Sequence, residues 1–151
     1  MPSIATTDAA VDPLALDRQV CFALAVASRT VISVYRPVLE RLGLTHPQYL
    51  VMLALWERSP RTGRDIADAL LLEPATLTPL LKRLESAGLI SRERSAADER
   101  ALAVTLTPAG RALRSEAELV PGQIVERLGV DVSELESVRD ALTRLIGAAN
   151  R

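Results

Sequence analysis

The chain has one cysteine, one histidine, one lysine, one tryptophan, one phenylalanine and two tyrosines in 151 residues. Each scarcity excludes something. A single cysteine closes no disulfide within the chain and fits a reducing compartment. One histidine with one cysteine gives no metal-ligand cluster, and no phosphate-cradling glycine loop or catalytic carboxylate pair is present, so no metal and no other cofactor is expected. Asp65 with Asp68, and Asp98 with Glu99, read as capping and solvated charges. The net charge of −1 means that affinity for nucleic acid must come from local basic groups. No basic segment followed by an apolar stretch opens the sequence, so no signal peptide is expected. The longest apolar run, near residues 20–28, is too short to span a bilayer, so no membrane partner is expected and the reading is cytoplasmic.

What the chain has is aliphatic residues, since hydrophobics make up 48% of it and aromatics only 3%. Over residues 62–107 their spacing changes period twice. Thr62 with Asp65 has the spacing of an acidic capping box, and Ile66, Ala67 and Leu70 share one helical face. After Leu71-Leu72-Glu73, Pro74 suits a first helical turn, and Leu77, Leu80, Leu81 and Leu84 follow at i, i+3, i+4 and i+7. Two helices joined by so tight a turn match a helix-turn-helix, whose second helix is free to enter a DNA major groove. Ala75, Pro79, Lys82, Arg83 and Ser86 face away from the leucines, with Thr76 and Thr78 flanking. Small residues near the helix start allow approach to base edges, and Lys82 and Arg83 can neutralise phosphates. An ordinary solvated face would look similar, and the segment that follows favours DNA. Gly88 can cap the helix. Ile90, Arg92 and Arg94, then Leu102, Val104 and Leu106, alternate as two strands would. Residues 95–100 between them are too polar to bury, so they form the tip of a hairpin wing that carries Arg100 toward a minor groove.

The flanks argue for a second copy. Residues 14–42 form a helical pattern that is apolar on most sides, including Leu16, Val20, Phe22, Leu24 and Val31, and a domain of this size cannot cover such a helix alone. Ile124, Leu128, Leu135, Val138, Leu142 and Leu145 mark another amphipathic region, bent or broken at Pro121-Gly122 and Gly129. Between these flanks, Thr45-His46-Pro47-Gln48 has capping-box spacing and opens a helix running to about Trp56. The fold is therefore mainly α (α+β): a flexible arm over 1–13, an N-terminal dimerisation helix over 14–44, a winged helix-turn-helix lobe over 45–107, and C-terminal dimerisation helices over 108–151. Terminal helices paired about a two-fold axis would set two recognition helices ~34 Å apart.

The whole layout resembles the MarR family of bacterial repressors. Within it, Val20-Cys21-Phe22, Ala27-Ser28-Arg29, Tyr35-Arg36-Pro37, Pro47-Gln48-Tyr49-Leu50, Thr76-Leu77-Thr78-Pro79 and Arg94-Ser95 with Asp98-Glu99-Arg100 resemble the one-cysteine organic-hydroperoxide-resistance repressors, the OhrR type. The resemblance implies a homodimer that binds a pseudo-palindromic operator on double-stranded DNA when reduced. An organic hydroperoxide is the implied effector, which oxidises Cys21 and frees the DNA. The residues expected at DNA are Thr76, Thr78, Pro79, Lys82, Arg83, Arg94, Asp98 and Arg100. In the family, partner-subunit tyrosines hydrogen-bond the sensing sulfur. Tyr35 matches one of them, His46 stands where a second is common, and Ala25 stands where some members have a third.

Cys21 has a plainer reading as a small buried hydrophobe. A sensor needs instead an accessible thiolate with donors beside it. Tyr35 lies 14 residues on, ~21 Å along a straight helix, so the two meet only between antiparallel helices of two copies. His46 could donate a hydrogen bond, and a protonated imidazole would favour the thiolate more than a phenol does. Its plainer role is to precede Pro47 at a helix start, and Tyr49 reads as core. With no second cysteine, a sulfenic acid at Cys21 would be captured by a small cellular thiol or overoxidised. The same lack argues against an enzyme, because a turning-over peroxidase needs a reduction route. Two alternatives stay open: a repressor of this fold released by a small phenolic or acidic ligand, and a thiol enzyme or scaffold that never binds DNA.

Overall fold

The computed structural model describes residues 11–94 and 102–151. The arm expected over 1–13 lies largely outside these residues, as does the hairpin tip with Asp98 and Arg100. The chain divides into two units inside its first long helix, between Ser33 and Val34.

In the first unit, a 3-10 turn over Leu16–Arg18 precedes helix α1, Val20–Glu40. The helix thus begins later than residue 14. Gln19 accounts for the delay: its side-chain amide donates to the carbonyls of Pro13 and Ala15 at 2.8 and 3.1 Å, and its own backbone is extended. Asp12 accepts from the Leu14 N–H at 2.9 Å and fixes the turn before it. Val20, Phe22 and Leu24 on α1 are exposed. By length and composition α1 is also apolar enough to cross a membrane, which the short run at residues 20–28 did not suggest.

The second unit holds the core. Helix α2, His46–Glu57, opens on the expected capping box, with Thr45 Oγ1 accepting from Gln48 N–H at 3.4 Å and Gln48 Oε1 accepting from Thr45 N–H at 3.0 Å. Strand β1 is only Arg61–Thr62, followed by α3, Gly63–Leu70, and α4, Pro74–Ser86. Leu71 lies between the two helices at φ +55°, a left-handed conformation that costs a branched side chain about 1–2 kcal/mol. Its backbone closes α3 through Leu72 N–H to Ala67 O at 2.9 Å. Ile66, Leu77, Leu80, Leu81 and Leu84 meet Val51, Met52 and Leu55 of α2 in one buried cluster that also takes in Val38 and Leu39 of α1.

Gly88, at φ +78°, ends α4 as expected, with Gly88 N–H to Glu85 O at 3.0 Å and Leu89 N–H to Leu84 O at 3.1 Å. Strands β2, Ile90–Arg94, and β3, Leu102–Leu106, pair antiparallel with Ile90 opposite Leu106. Strand β1 adds to the far side of β3, giving the order β1-β3-β2. The C-terminal region is three helices: α5, Pro108–Ala117, α6, Val120–Leu128, and α7, Val132–Ala149. Pro121 starts the second of these, and Gly129 at φ +63° ends it, so the expected break falls at both places. Helix α7 has no buried residue.

Candidate nucleic-acid interface and sensing cysteine

Helix α4 buries its four leucines and leaves Thr76, Thr78, Pro79, Lys82 and Arg83 exposed. Pro79 within the helix supplies no N–H, which leaves the Ala75 carbonyl without its helical donor. Thr78 Oγ1 donates to the Pro74 carbonyl at 3.0 Å, so its proton is engaged and its lone pairs are offered outward. Lys82, Arg83 and Arg94 make no ion pair among the described residues. These five α4 residues therefore share one surface, and Arg94 ends the strand leading from it.

The start of the helix-turn-helix is held by charge. Arg61, with its side chain 8% exposed, donates to the Ala54 carbonyl at 2.9 Å and to Asp65 at 2.8 Å. Arg58 reaches the same Asp65 oxygen at 2.7 Å. The hydrogen bond from Arg61, ahead of the other contributions, holds the Asp65 carboxyl below its ordinary range. Thr62 accepts from Asp65 N–H at 3.1 Å, so half of the expected capping box is present. The Asp65 carboxylate turns to the two arginines.

Sequence reasoning missed a second pair. Arg92 on β2 donates from Nε and Nη2 to the two carboxylate oxygens of Glu85, at 3.3 and 3.1 Å. Glu85 lies on α4 and Arg92 on β2, so no single periodicity relates them, and the pair becomes visible only once Gly88 turns the chain back.

Cys21 is exposed, which overturns the buried-hydrophobe reading for the single chain. In the second unit, Tyr35 from α1 stands edge-on to His46 of α2, with ring centroids 5.3 Å apart and planes at 72°. Tyr49 completes the group at 6.1 Å from Tyr35 and 6.4 Å from His46, and it is buried, as expected of core. Burial raises both tyrosine pKa values, with Tyr35 adding to the effect at Tyr49, and lowers that of His46. The imidazole is therefore neutral at neutral pH and offers one N–H donor without a positive charge. None of the three side chains makes a hydrogen bond among the described residues, and no fully buried side-chain nitrogen or oxygen lacks a partner.

A family model described as transcriptional regulator SarA/Rot matches residues 33–117. The chain is 39% identical over 142 residues to the organic hydroperoxide resistance transcriptional regulator of Bacillus subtilis, covering 92% of this chain and 97% of that one. It is 34% identical to the transcriptional regulator MgrA of Staphylococcus aureus over 88% of this chain and 91% of that one. Among solved structures, reduced AbfR of Staphylococcus epidermidis bound to DNA aligns at TM-score 0.72 and 36% identity, covering 90% of this chain and 95% of that one. Overoxidised AbfR, also bound to DNA, aligns at TM-score 0.71 and 36% identity over 89% of this chain and 94% of that one.

Proposed function

Because the chain belongs to the MarR family of winged helix-turn-helix, DNA-binding transcriptional regulators, we propose that it is a peroxide-sensing repressor, a homodimer that holds a pseudo-palindromic operator while Cys21 is reduced and releases it after oxidation. The observation that carries this reading is the exposure of Cys21 beside exposed Val20, Phe22 and Leu24. A sulfur on such a face is open to a peroxide, and its apolar neighbours call for a second chain to cover them. Residues 14–44 and 108–151 form that dimer interface, and residues 45–107 form the DNA-binding lobe. The apolar length of α1 is thereby used against a partner helix in the cytoplasm, and Arg29 and Arg36 on it favour that use over a bilayer.

Tyr35 lies too far along its own helix to serve its own Cys21, so the partner's Tyr35 and His46 donate to the sulfur and steady its thiolate. Thr76, Thr78 and Pro79 approach base edges. Lys82, Arg83 and Arg94 take phosphates, Arg100 reaches an adjacent minor groove, and Asp98 belongs to the same DNA-facing set without contacting phosphate.

The chemistry is a two-electron oxidation. The thiolate attacks the terminal oxygen of the hydroperoxide, the O–O bond breaks, and the alkoxide takes up a proton and leaves as the alcohol. Cys21 becomes a sulfenic acid. A small cellular thiol then displaces water and leaves a mixed disulfide. Overoxidised AbfR is bound to DNA, which favours this bulkier adduct over a sulfonate as the releasing form here. An adduct that no longer fits against Tyr35 and His46 shifts the dimer to a spacing that mismatches the operator, and a coupling of ~3 kcal/mol changes affinity about 150-fold. The test is operator binding with and without cumene hydroperoxide and a small thiol, on the wild type and on Cys21→Ser. The variant should bind DNA as the wild type does and ignore the oxidant. A variant that still responds contradicts the redox mechanism and leaves a ligand-released repressor in its place.

A further inference from the structure

Glu85 is out of place on a surface meant for a polyanion. It follows Lys82 by one helical turn, its side chain is 41% exposed, and its carboxyl is held below the ordinary range by the Arg92 hydrogen bond. An ionised carboxylate at that position repels phosphates, and by charge alone its loss would tighten binding to any DNA.

Its geometry gives it another role. The two oxygens take Arg92 in a fork, at 3.3 and 3.1 Å, and the Arg92 side chain is only 18% exposed. The fork ties the last turn of α4 to the middle of β2. Ile90, buried at the start of the strand, anchors one side of the same short element. Arg94 lies two residues beyond Arg92, on the same face of the strand. The angle at which Arg94 leaves the lobe relative to Lys82 and Arg83 is thus set by a charge-assisted bidentate bond and not by the strand pairing alone.

We propose that Glu85 is a positioning residue for operator recognition, acting through Arg92 to hold strand β2 and Arg94 in register with the exposed face of α4. The proposal rests on the DNA-binding reading of that face and concerns what keeps its two parts aligned. A positioning role and a bare charge predict opposite signs for the same substitution.

The experiment measures operator affinity against salt for Glu85→Gln, Arg92→Gln, the charge-conserving swap Glu85→Arg with Arg92→Glu, and Lys82→Ala, with thermal unfolding of each. Glu85→Gln should weaken operator binding about fivefold although it removes a repelling charge, and should leave the thermal midpoint close to wild type because the pair is partly exposed. The swap should bind better than either single variant, within about twofold of wild type, since it restores the fork with the same net charge. Tighter or unchanged binding by Glu85→Gln, or a swap no better than the single variants, overturns the positioning role. Lys82→Ala separates the two readings: if it too leaves affinity and salt slope unchanged, the α4 face is not the DNA surface, and both fail together.

Discussion

The leucines of α4 and the aliphatic residues of α1 and α7 have similar composition and opposite fates. Leu77, Leu80, Leu81 and Leu84 find Ile66, Met52 and Leu55 within their own unit and are buried. Val20, Phe22 and Leu24 of α1, and Val132, Val138, Leu145 and Ile146 of α7, are exposed. The first set closes a core, which frees the far side of α4 for a ligand. The second set is an unfinished surface, which the proposed dimer would finish. Apolar periodicity predicts burial in both regions, and under that proposal the number of chains needed to achieve it differs.

The comparison breaks most visibly at its buried end. Leu84→Ala should cost ~2–5 kcal/mol of unfolding free energy and leave dimerisation unchanged, and urea denaturation at one fixed protein concentration checks it. Gly110→Ala comes next. A Cβ there would fall on the Leu89 backbone carbonyl, and this glycine's own carbonyl accepts from Trp56 Nε1 at 2.9 Å, so α5 cannot simply withdraw. A loss of ~1–3 kcal/mol is expected by the same measurement. At the exposed end, Ile146→Glu should leave the unfolding slope of the lobe unchanged and weaken dimerisation at least about tenfold, seen by sedimentation at falling concentration. Equal effects of Leu84→Ala and Ile146→Glu on both readouts would erase the distinction between the regions.

Two smaller effects sharpen it. Lys82→Ala should reduce the slope of log affinity against log salt by about one, uniformly across DNA sequences. For His46, burial lowers the folded pKa below the unfolded value of ~6.5. The unfolded chain therefore binds the proton more readily, and the stability contribution is complete above pH ~6.5 and is lost as pH falls toward the folded pKa. His46→Gln should flatten stability against pH between neutral and mildly acidic conditions.

Much of this fold is legible in the sequence because local rules and burial agree there. The capping box at Thr45, Pro74 at the start of α4, the leucine spacing after it, Gly88 and the two alternating strands each have a local cause. The misses are places where a longer-range contact decides. Strand β1 is two residues long and exists only because β3 offers it a free edge. Leu71 takes a conformation that favours glycine, and the pull comes from Leu72 bonding back to Ala67 while α3 and α4 pack. Residues 14–19 carry helical spacing and are diverted by the Gln19 amide. At the interface, the exposed α4 residues could be read from the wheel, whereas Glu85 with Arg92 needs the turn at Gly88. The grouping of Tyr35 with His46 follows from their placement near the end of α1 and the start of α2, and the lowered pKa of His46 follows only from its burial.

The claim that a partner's donors serve Cys21 is tested most directly with mixed dimers. One chain carries Cys21→Ser with Tyr35 intact, and the other keeps Cys21 and carries Tyr35→Phe, each with its own affinity tag. The sole remaining thiol then faces tyrosine if the pairing is between chains and phenylalanine if it is within one. The account predicts that this heterodimer is oxidised by cumene hydroperoxide at the wild-type rate. Oxidation as slow as in the Tyr35→Phe homodimer would contradict it.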